Sequence, residues 1–272
     1  MTAKATNTIG KDGSHGQQLD LGHFLDDEVI PRHTPAAPPA KPLSLDDMAA
    51  RLAEAYRLLI APGQVVELRA LDVRRNGGRP HTEAGFFDSD HLADMAQAAL
   101  QVSRCAKGVY FTLNPLHPDL LARRCNRIDW ANEGELAKDK DVLARRWLLV
   151  DADPVRDPLV SATDDEKAAA YQTIGEVRDF LRGRSWPDPI LADSGNGYHL
   201  LYRLELPADD SGVVERILQA LARRFDSDRV KIDQKVFNPS RICKLPGTWA
   251  RKGDHTPTRP HRRAQLLEVP GL

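Results

Sequence analysis

Apolar residues recur along the chain with two different periods, which predicts a mixture of helices and strands. Spacings of three and four residues are typical of a helix with one buried face. They predict four helices, which begin near Ser44, Ser89, Thr163 and Ser211. Thr163 is followed three residues later by Glu166, which is the pattern of a capping box.

Shorter apolar runs predict the strands. These are expected near residues 65–71, 109–113, 147–154, 187–192, 198–206, 230–232, 242–245 and 265–269. The sequence Gly-Asn-Gly at 195–197 separates two of these runs and is a strong signal for a β-hairpin. Together the elements predict an α+β fold in which an antiparallel sheet carries the functional site.

The strand predicted at 147–154 leads from four apolar residues into Asp151 and Asp153. Because side chains alternate along a strand, both carboxylates point to one face, roughly 7 Å apart. Two such carboxylates repel each other unless a cation or a proton lies between them. Binding of a divalent metal is therefore one interpretation, and the other is that both acids begin a solvated loop.

The turn at 194–199 carries groups that suit a phosphate ligand. Its glycines let backbone N–H groups approach a ligand closely, and Ser194 and His199 add side-chain donors. The alternative is that the glycines serve only the geometry of a hairpin, with His199 as an ordinary strand residue.

A third candidate group begins at Asp233, which follows the apolar run 230–232. Arg241 and Lys244 come next with strand-like spacing, and both residue types bind polyphosphates. Alternatively, Asp233 starts a turn and the cations are solvated. A third carboxylate completes a two-metal site, so the three groups together fit metal-assisted nucleotidyl transfer.

Composition and charge narrow the class of protein. Of the 272 residues, 41% are hydrophobic and 28% charged, as in globular proteins. No run approaches the roughly 18 apolar residues of a membrane helix or forms a signal-peptide core, which predicts a cytoplasmic protein. The net charge of −1 argues against non-specific coating of nucleic acid, yet residues 241–263 hold seven Lys or Arg and one acid.

The first 43 residues and the three cysteines have distinctive compositions or spacings. Residues 1–43 are polar and then rich in proline, which predicts a disordered tail. Cys105, Cys125 and Cys243 make no disulfide framework and are expected to be buried free thiols. The alternative is that Cys105 and Cys125 form part of a zinc site with His117.

Taken in order, these motifs resemble the archaeo-eukaryotic primase superfamily, specifically the primase-polymerase domains of bacterial plasmids and phages. The family pattern is Asp-x-Asp, then a small-residue turn that ends in His, then a hydrophobic residue followed by Asp. Asp151 and Asp153, the turn at 194–199, and Asp233 after Ile232 match this pattern. Segments 85–88, 109–115 and 241–248 also look like the bacterial members, and the resemblance covers about residues 44–270.

The resemblance implies an α+β fold of two modules, an N-terminal αβ module at about 44–140 and a catalytic module resembling an RNA-recognition-motif sheet at about 141–270. It implies that Asp151, Asp153 and Asp233 bind two Mg²⁺ or Mn²⁺ ions. Asp233 is then expected within a metal's reach of the other two, and His199 a triphosphate length away. The residues expected to hold the incoming nucleotide are Ser194, Asn196, His199, Arg241 and Lys244.

The implied activity is template-directed synthesis or extension of primers on single-stranded DNA from dNTPs or NTPs. The basic residues expected to hold the template backbone are Arg74, Arg75, Arg251 and Lys252. Many members of the family continue into a helicase, and here any helicase is expected to be a separate protein or to have been lost by truncation. Two alternatives stay open, a catalytically silent nucleotide- or nucleic-acid-binding module and a metal-dependent rolling-circle-type nuclease, which requires paired His ligands and a Tyr nucleophile.

Overall fold

A computed structural model of the chain describes residues 44–75 and 77–271, which belong to one compact unit. The tail predicted at 1–43 lies outside the described residues. The helices of the described part are α1 (Leu45–Arg57), α2 (Leu92–Val102), α3 (Asp164–Arg182) and α4 (Val213–Phe225). Short 3-10 turns lie at Ser89–His91, Pro118–Arg123, Glu133–Glu135, Asp139–Asp141 and Gln234–Phe237.

Local capping interactions set where two of these helices begin. Ser44 accepts a hydrogen bond from the backbone N–H of Asp47, whose carboxylate reaches back to Ser44. The capping box predicted at α3 is confirmed, because Thr163 Oγ1 accepts from the N–H of Glu166 at 3.1 Å and Glu166 accepts from the N–H of Thr163 at 2.8 Å. Such caps satisfy N–H groups that have no partner inside the helix.

The strands are short except at the centre of each sheet. In chain order they are β1 (Val65–Val73), β2 (His81–Asp88), β3 (Gly108–Thr112), β4 (Asp129–Trp130), β5 (Ala144–Pro154), β6 (Ile190–Asp193), β7 (Tyr198–Pro207), β8 (Val230–Ile232), β9 (Ile242–Lys244), β10 (Trp249–Ala250), β11 (Arg262–Arg263) and β12 (Gln265–Glu268).

Two five-stranded sheets dominate the fold. Their strand orders are β4-β2-β1-β3-β9 and β12-β6-β7-β5-β8, with β10 and β11 forming a separate pair. Neighbouring strands within each sheet are antiparallel, which confirms the predicted α+β class with antiparallel sheets. The chain order β5-α3-β6-β7-α4-β8 gives the second sheet a βαββαβ connectivity.

Strand β9 comes from the C-terminal half of the chain but completes the first sheet. It pairs with β3, so that Tyr110 lies opposite Lys244 and Phe111 opposite Cys243. The boundary near residue 140 between the two predicted modules therefore does not separate the two sheets.

The second sheet is covered on one face by α3 and α4. Val150 and Ala152 of β5 are fully buried, and because strand side chains alternate they point away from the face that carries Asp151 and Asp153. That second face meets residues of the first sheet across an open cleft. In the described part of the chain, no helix has the length and hydropathy needed to cross a lipid bilayer.

Candidate active site

A cleft of about 400 Å³ lies between the two sheets and brings together most of the residues singled out from the sequence. Those that line it are Asp151, Asp153, Ser194, Asn196, His199, Asp233, Arg241, Lys244, Arg251 and Lys252. Arg74 and Arg75 are not among the lining residues. Arg75 instead forms a two-pronged ion pair with Glu83, at 2.7 and 2.9 Å.

Strand register places the acids and the histidine on one face of the second sheet. Asp151 of β5 lies directly opposite His199 of β7. Ala152 pairs with Ile232 of β8, and the backbone N–H of the next residue, Asp233, donates to the carbonyl oxygen of Asp151 at 2.9 Å. Residues from three separate strands thus converge at the same level of the sheet.

The carboxylates of Asp151 and Asp153 are incompletely paired. Asp151 Oδ1 is buried without a hydrogen bond, and it lies 3.5 Å from His199 Nε2. Asp153 lies deep in the cleft with part of its side chain in solvent, and burial together with the charge of Asp151 raises the pKa of Asp153 to about 6. An unpartnered buried oxygen next to a second carboxylate is an environment that a divalent cation stabilises.

Arg156 is a buried cation beside Asp153, and the sequence did not predict it. Its side chain is 3% exposed, and its Nη1 lies 3.8 Å from Asp153 Oδ1. The guanidinium is held by the carbonyl oxygens of Pro154 and Val160. It offsets part of the negative charge of Asp153, and no local sequence pattern indicated that a loop arginine would be buried here.

The cleft contains carboxylate oxygens that can bind a metal, but their positions do not surround a single point. Across residues 44–75 and 77–271, no three His, Cys, Asp or Glu side chains are close enough together to hold a metal ion as they stand. The donor chemistry of Asp151, Asp153 and Asp233 suits Mg²⁺ or Mn²⁺. Binding an ion requires side-chain rotation, whereas the hydrogen bond that Asp233 Oδ1 accepts from the backbone N–H of Lys235 at 2.7 Å leaves Oδ2 available.

His199 sits against the acids and not at a distance from them. Its Nε2 lies 3.5 Å from Asp151 Oδ1 and its Nδ1 3.4 Å from Cys243 Sγ. Burial is the largest single influence and lowers the pKa of His199, but the charges and hydrogen bonds of Asp151 and Cys243 together outweigh burial, and the pKa lies well above its usual value. The expected separation of a triphosphate length is therefore wrong, because the register of β5 and β7 places the two residues directly opposite each other.

The glycine-rich turn is packed tightly against the strand that carries the acids. A Cβ atom at Gly197 would lie 2.4 Å from the carbonyl oxygen of Ala152 and 2.7 Å from Asp153 Oδ1, so only glycine fits. Gly195 adopts a φ of +94°, a conformation that side chains rarely permit. Ser194 Oγ accepts from the N–H of Gly197 at 3.0 Å, which leaves its hydroxyl proton to donate elsewhere.

A buried ion pair supports this turn from below. Lys167 of α3 places its Nζ 2.6 Å from Asp193 Oδ1, and both side chains are almost fully buried. The same oxygen accepts the N–H of Gly195 at 2.6 Å. Lys167 and Asp193 were not identified from the sequence, since only the fold brings α3 under the hairpin.

Asn196 has a structural role in the described conformation. It is buried, and its Oδ1 accepts the backbone N–H of Ala162 at 2.8 Å. This bond ties the turn to the segment that precedes α3. The oxygen is therefore not directed at a ligand.

The cations of the cleft are bound to backbone carbonyl groups. Lys244 Nζ donates to the carbonyl oxygen of Trp249 at 2.6 Å and lies 5.1 Å from the centre of the Tyr110 ring. Burial, with the charge of Arg251 as a further cause, lowers the pKa of Lys244 to about 7. Arg241 bonds the carbonyl oxygen of Lys235, while its Nε is buried without a partner.

The two basic residues after β10 differ in their surroundings. Arg251 donates to the carbonyl oxygens of Ser103 and Ala106, which fixes it to the end of α2. Lys252 faces the acids, but burial outweighs the effect of Asp153 and lowers the pKa of Lys252. Both line the cleft.

The cysteines differ in exposure. Cys243 is buried, as predicted, and lines the cleft beside His199. Cys105 is partly buried and Cys125 is exposed, so the prediction of buried thiols is wrong for Cys125. A cysteine contact to the cleft histidine was not predicted, because it depends on the pairing of β9 with β3.

Comparison with models of protein families, with curated proteins and with solved structures found no match. The geometry of the cleft and the ordered motifs of the sequence are therefore the grounds for a functional proposal.

Proposed function

We propose that the protein is a template-directed nucleotidyltransferase that synthesises or extends primers on single-stranded DNA. The observation that carries this proposal is the convergence of Asp151, Asp153 and Asp233 in a cleft that also holds cations and a glycine-rich turn. Carboxylates for metal ions beside cations for a polyphosphate are the components that nucleotidyl transfer requires.

The three aspartates are the proposed ligands of two Mg²⁺ or Mn²⁺ ions. When bound, such ions lower the pKa of the attacking 3′-hydroxyl and neutralise the charge that develops on the leaving pyrophosphate. The orphaned Oδ1 of Asp151 and the raised pKa of Asp153 support this assignment, because both groups gain from a nearby cation.

The remaining cleft residues are proposed to bind the nucleotide. Arg241 and Lys244 supply positive charge for the triphosphate once they exchange their backbone carbonyl partners for phosphate oxygens. Ser194 donates its hydroxyl proton, and His199 donates from a ring N–H after Asp151 turns toward a cation. Asn196 keeps the turn in place.

The βαββαβ order of the second sheet supports membership of the archaeo-eukaryotic primase superfamily. Four of its strands, in the order β6-β7-β5-β8, and the helices α3 and α4 form the arrangement expected of a sheet resembling an RNA-recognition motif. The first sheet is then the N-terminal αβ module, completed by β9. Under the same proposal, a separate helicase acts as a partner, and the nucleotide substrate is a dNTP or an NTP.

The direct test is nucleotide incorporation on a primed single-stranded template with Mn²⁺, with dNTPs and NTPs supplied in separate reactions. Asp151→Asn and Asp153→Asn are expected to lower the rate by at least about 100-fold, since each removes a metal ligand. Asp228→Asn is the matched control, because Asp228 is exposed and outside the cleft. Incorporation by Asp151→Asn at the wild-type rate refutes the assignment.

A second candidate is a nucleotide-binding module without catalysis. The observation that favours it is Lys244, which is buried and already bonded to the carbonyl oxygen of Trp249. Nucleotide binding that depends on Mn²⁺ but yields no incorporated nucleotide distinguishes this module from an enzyme. The nuclease alternative gains no support, because His199 is the single histidine among the described residues that line the cleft.

A further inference from the structure

An exposed aromatic stack lies at the outer edge of the first sheet, on strands β2 and β4. The rings of His81 and Trp130 have centroids 4.6 Å apart and are inclined by 11°. Trp130 remains 59% exposed although one face of its indole meets the histidine ring. The other face of the indole is open to solvent, and aromatic rings in this position can stack with a further ring.

The stack is held in place by several contacts. Trp130 lies opposite Glu83 in the register of β4 and β2, and its carbonyl oxygen accepts from Arg124 Nη2 at 2.7 Å. His81 Nε2 lies 3.2 Å from Glu83 Oε1, the carboxylate that also binds Arg75 through both oxygens. The two stacked rings are therefore held in a fixed orientation, so that stacking of a ligand on them costs little conformational entropy.

The charges around the stack favour an anionic ligand. Arg75 and Arg127 are each more than half exposed although they pair with Glu83 and Asp129. Arg74 and Arg79 are exposed on the adjoining connection between β1 and β2. Arg75, Arg124 and Arg127 are each paired with a carboxylate, so the unbalanced positive charge on this side of the sheet comes from Arg74 and Arg79.

We infer that the His81–Trp130 stack is a platform on which an unpaired base of single-stranded DNA lies, with its flanking phosphates near the arginines. An exposed aromatic face surrounded by cations is the recurring arrangement of single-strand binding, since every base has a π-face and every phosphate a charge. Bases inside a duplex are already stacked and paired, so the platform selects single strands. The choice of DNA rests on the proposed function, whereas the base-stacking chemistry does not.

The platform lies outside the cleft, on the other face of the first sheet. Trp130 is opposite Glu83, which is opposite Ala70, and Ala70 is opposite Val109, whereas Tyr110, the residue after Val109, lines the cleft. The two sites meet at the end of β1, where Asp72 lines the cleft and Arg74 follows two residues later. A template strand therefore reaches the indole by passing around this end of the sheet, along the arginines.

The test is binding of a fluorescently labelled thymidine oligonucleotide, measured by anisotropy without nucleotide or metal. Trp130→Ala is expected to weaken binding by about 5- to 100-fold, the loss typical of one stacked base. Trp130→Phe keeps an aromatic face and is expected to retain most of the affinity. Leu143→Ala is the matched control, because Leu143 is 52% exposed at a different surface.

A second readout is spectroscopic. Oligonucleotide binding is expected to quench the tryptophan fluorescence of the wild type, and this quenching is expected to be largely lost in Trp130→Phe. Unchanged affinity of Trp130→Ala, equal weakening by Leu143→Ala, or preference for a duplex of the same sequence overturns the inference. Because the assay needs no catalysis, a wild type that binds through Trp130 but incorporates no nucleotide removes the proposed function and leaves the platform standing.

Discussion

The backbone N–H of Asp233 donates to the carbonyl oxygen of Asp151 at 2.9 Å, so the chain that follows β8 lies directly beside the end of β5. This single contact brings a third carboxylate to the two of the Asp-x-Asp motif. Three carboxylates therefore meet at one side of a cleft that also holds the cations Arg241, Lys244, Arg251 and Lys252. Arg156 is a further, buried cation 3.8 Å from Asp153.

Metal binding is expected to stabilise the folded protein. Mn²⁺ is expected to raise the melting temperature of the wild type, since a ligand that binds only the folded state stabilises it by about 2.7 kcal/mol at 100 times its Kd. Asp153→Asn is expected to lose this rise, yet to be as stable as the wild type or more so without metal, because it removes a carboxylate that Asp151 repels. Thermal unfolding with and without Mn²⁺ measures both effects. A full Mn²⁺ response in Asp153→Asn contradicts the prediction.

Gly197 tests the close packing of the turn against the acid strand. Gly197→Ala is expected to destabilise the fold by about 1–3 kcal/mol and to displace Asp153, because its Cβ meets the carbonyl oxygen of Ala152. Gly175→Ala in α3 is the matched control, with no atom within 4 Å of the added Cβ. That control is expected to stabilise the protein by roughly 0.5–1 kcal/mol. Urea unfolding of both variants checks the opposite signs, and equal signs refute the packing argument.

Breaking the buried pair under the turn is expected to be costly. Lys167→Met leaves Asp193 buried without its cation and is expected to cost about 3–5 kcal/mol. Arg182→Met breaks an exposed pair with Asp188 and is expected to cost less than about 1 kcal/mol. The double variant Lys167→Met with Asp193→Asn is expected to recover part of the loss. Equilibrium unfolding measures all three, and equal costs for the two single variants contradict the proposed support.

Lys244 makes stability depend on pH in a defined direction. Its folded pKa of about 7 lies below the ordinary lysine value of 10.5, so above pH 7 the unfolded chain holds a proton that the folded chain has lost. Stability from this group therefore rises with pH between those two values, and the penalty for burying the charge is complete below pH 7. The groups that face its ammonium are the Tyr110 ring, Cys243 and Arg251.

The comparison with Lys244→Met isolates this contribution from other titrating groups. The difference in unfolding free energy between wild type and Lys244→Met is expected to shift in favour of the wild type as pH rises from 6 through 8. A pH-independent difference refutes the lowered pKa. Added polyphosphate is expected to remove the pH dependence, because a bound anion stabilises the charged ammonium.

Much of the local structure was predictable because it depends on neighbouring residues. The capping box of Thr163 with Glu166 was read directly from the sequence, as was the hairpin around the glycine-rich turn. Strand β2 was not predicted although it spans eight residues. The three strands of two residues, β4, β10 and β11, were not predicted either, since such short segments show no period. Strand β5 also begins three residues earlier than its apolar run indicated.

The sequence by itself determined that Asp151 and Asp153 share a face, because alternation along a strand is a property of the backbone alone. Tertiary structure decided which residues meet them. Pairing of β5 with β7 placed His199 against Asp151, and pairing of β9 with β3 delivered Cys243 and Lys244 to the same cleft. Such long-range registers depend on how whole sheets bury their apolar faces, so no local pattern specifies them.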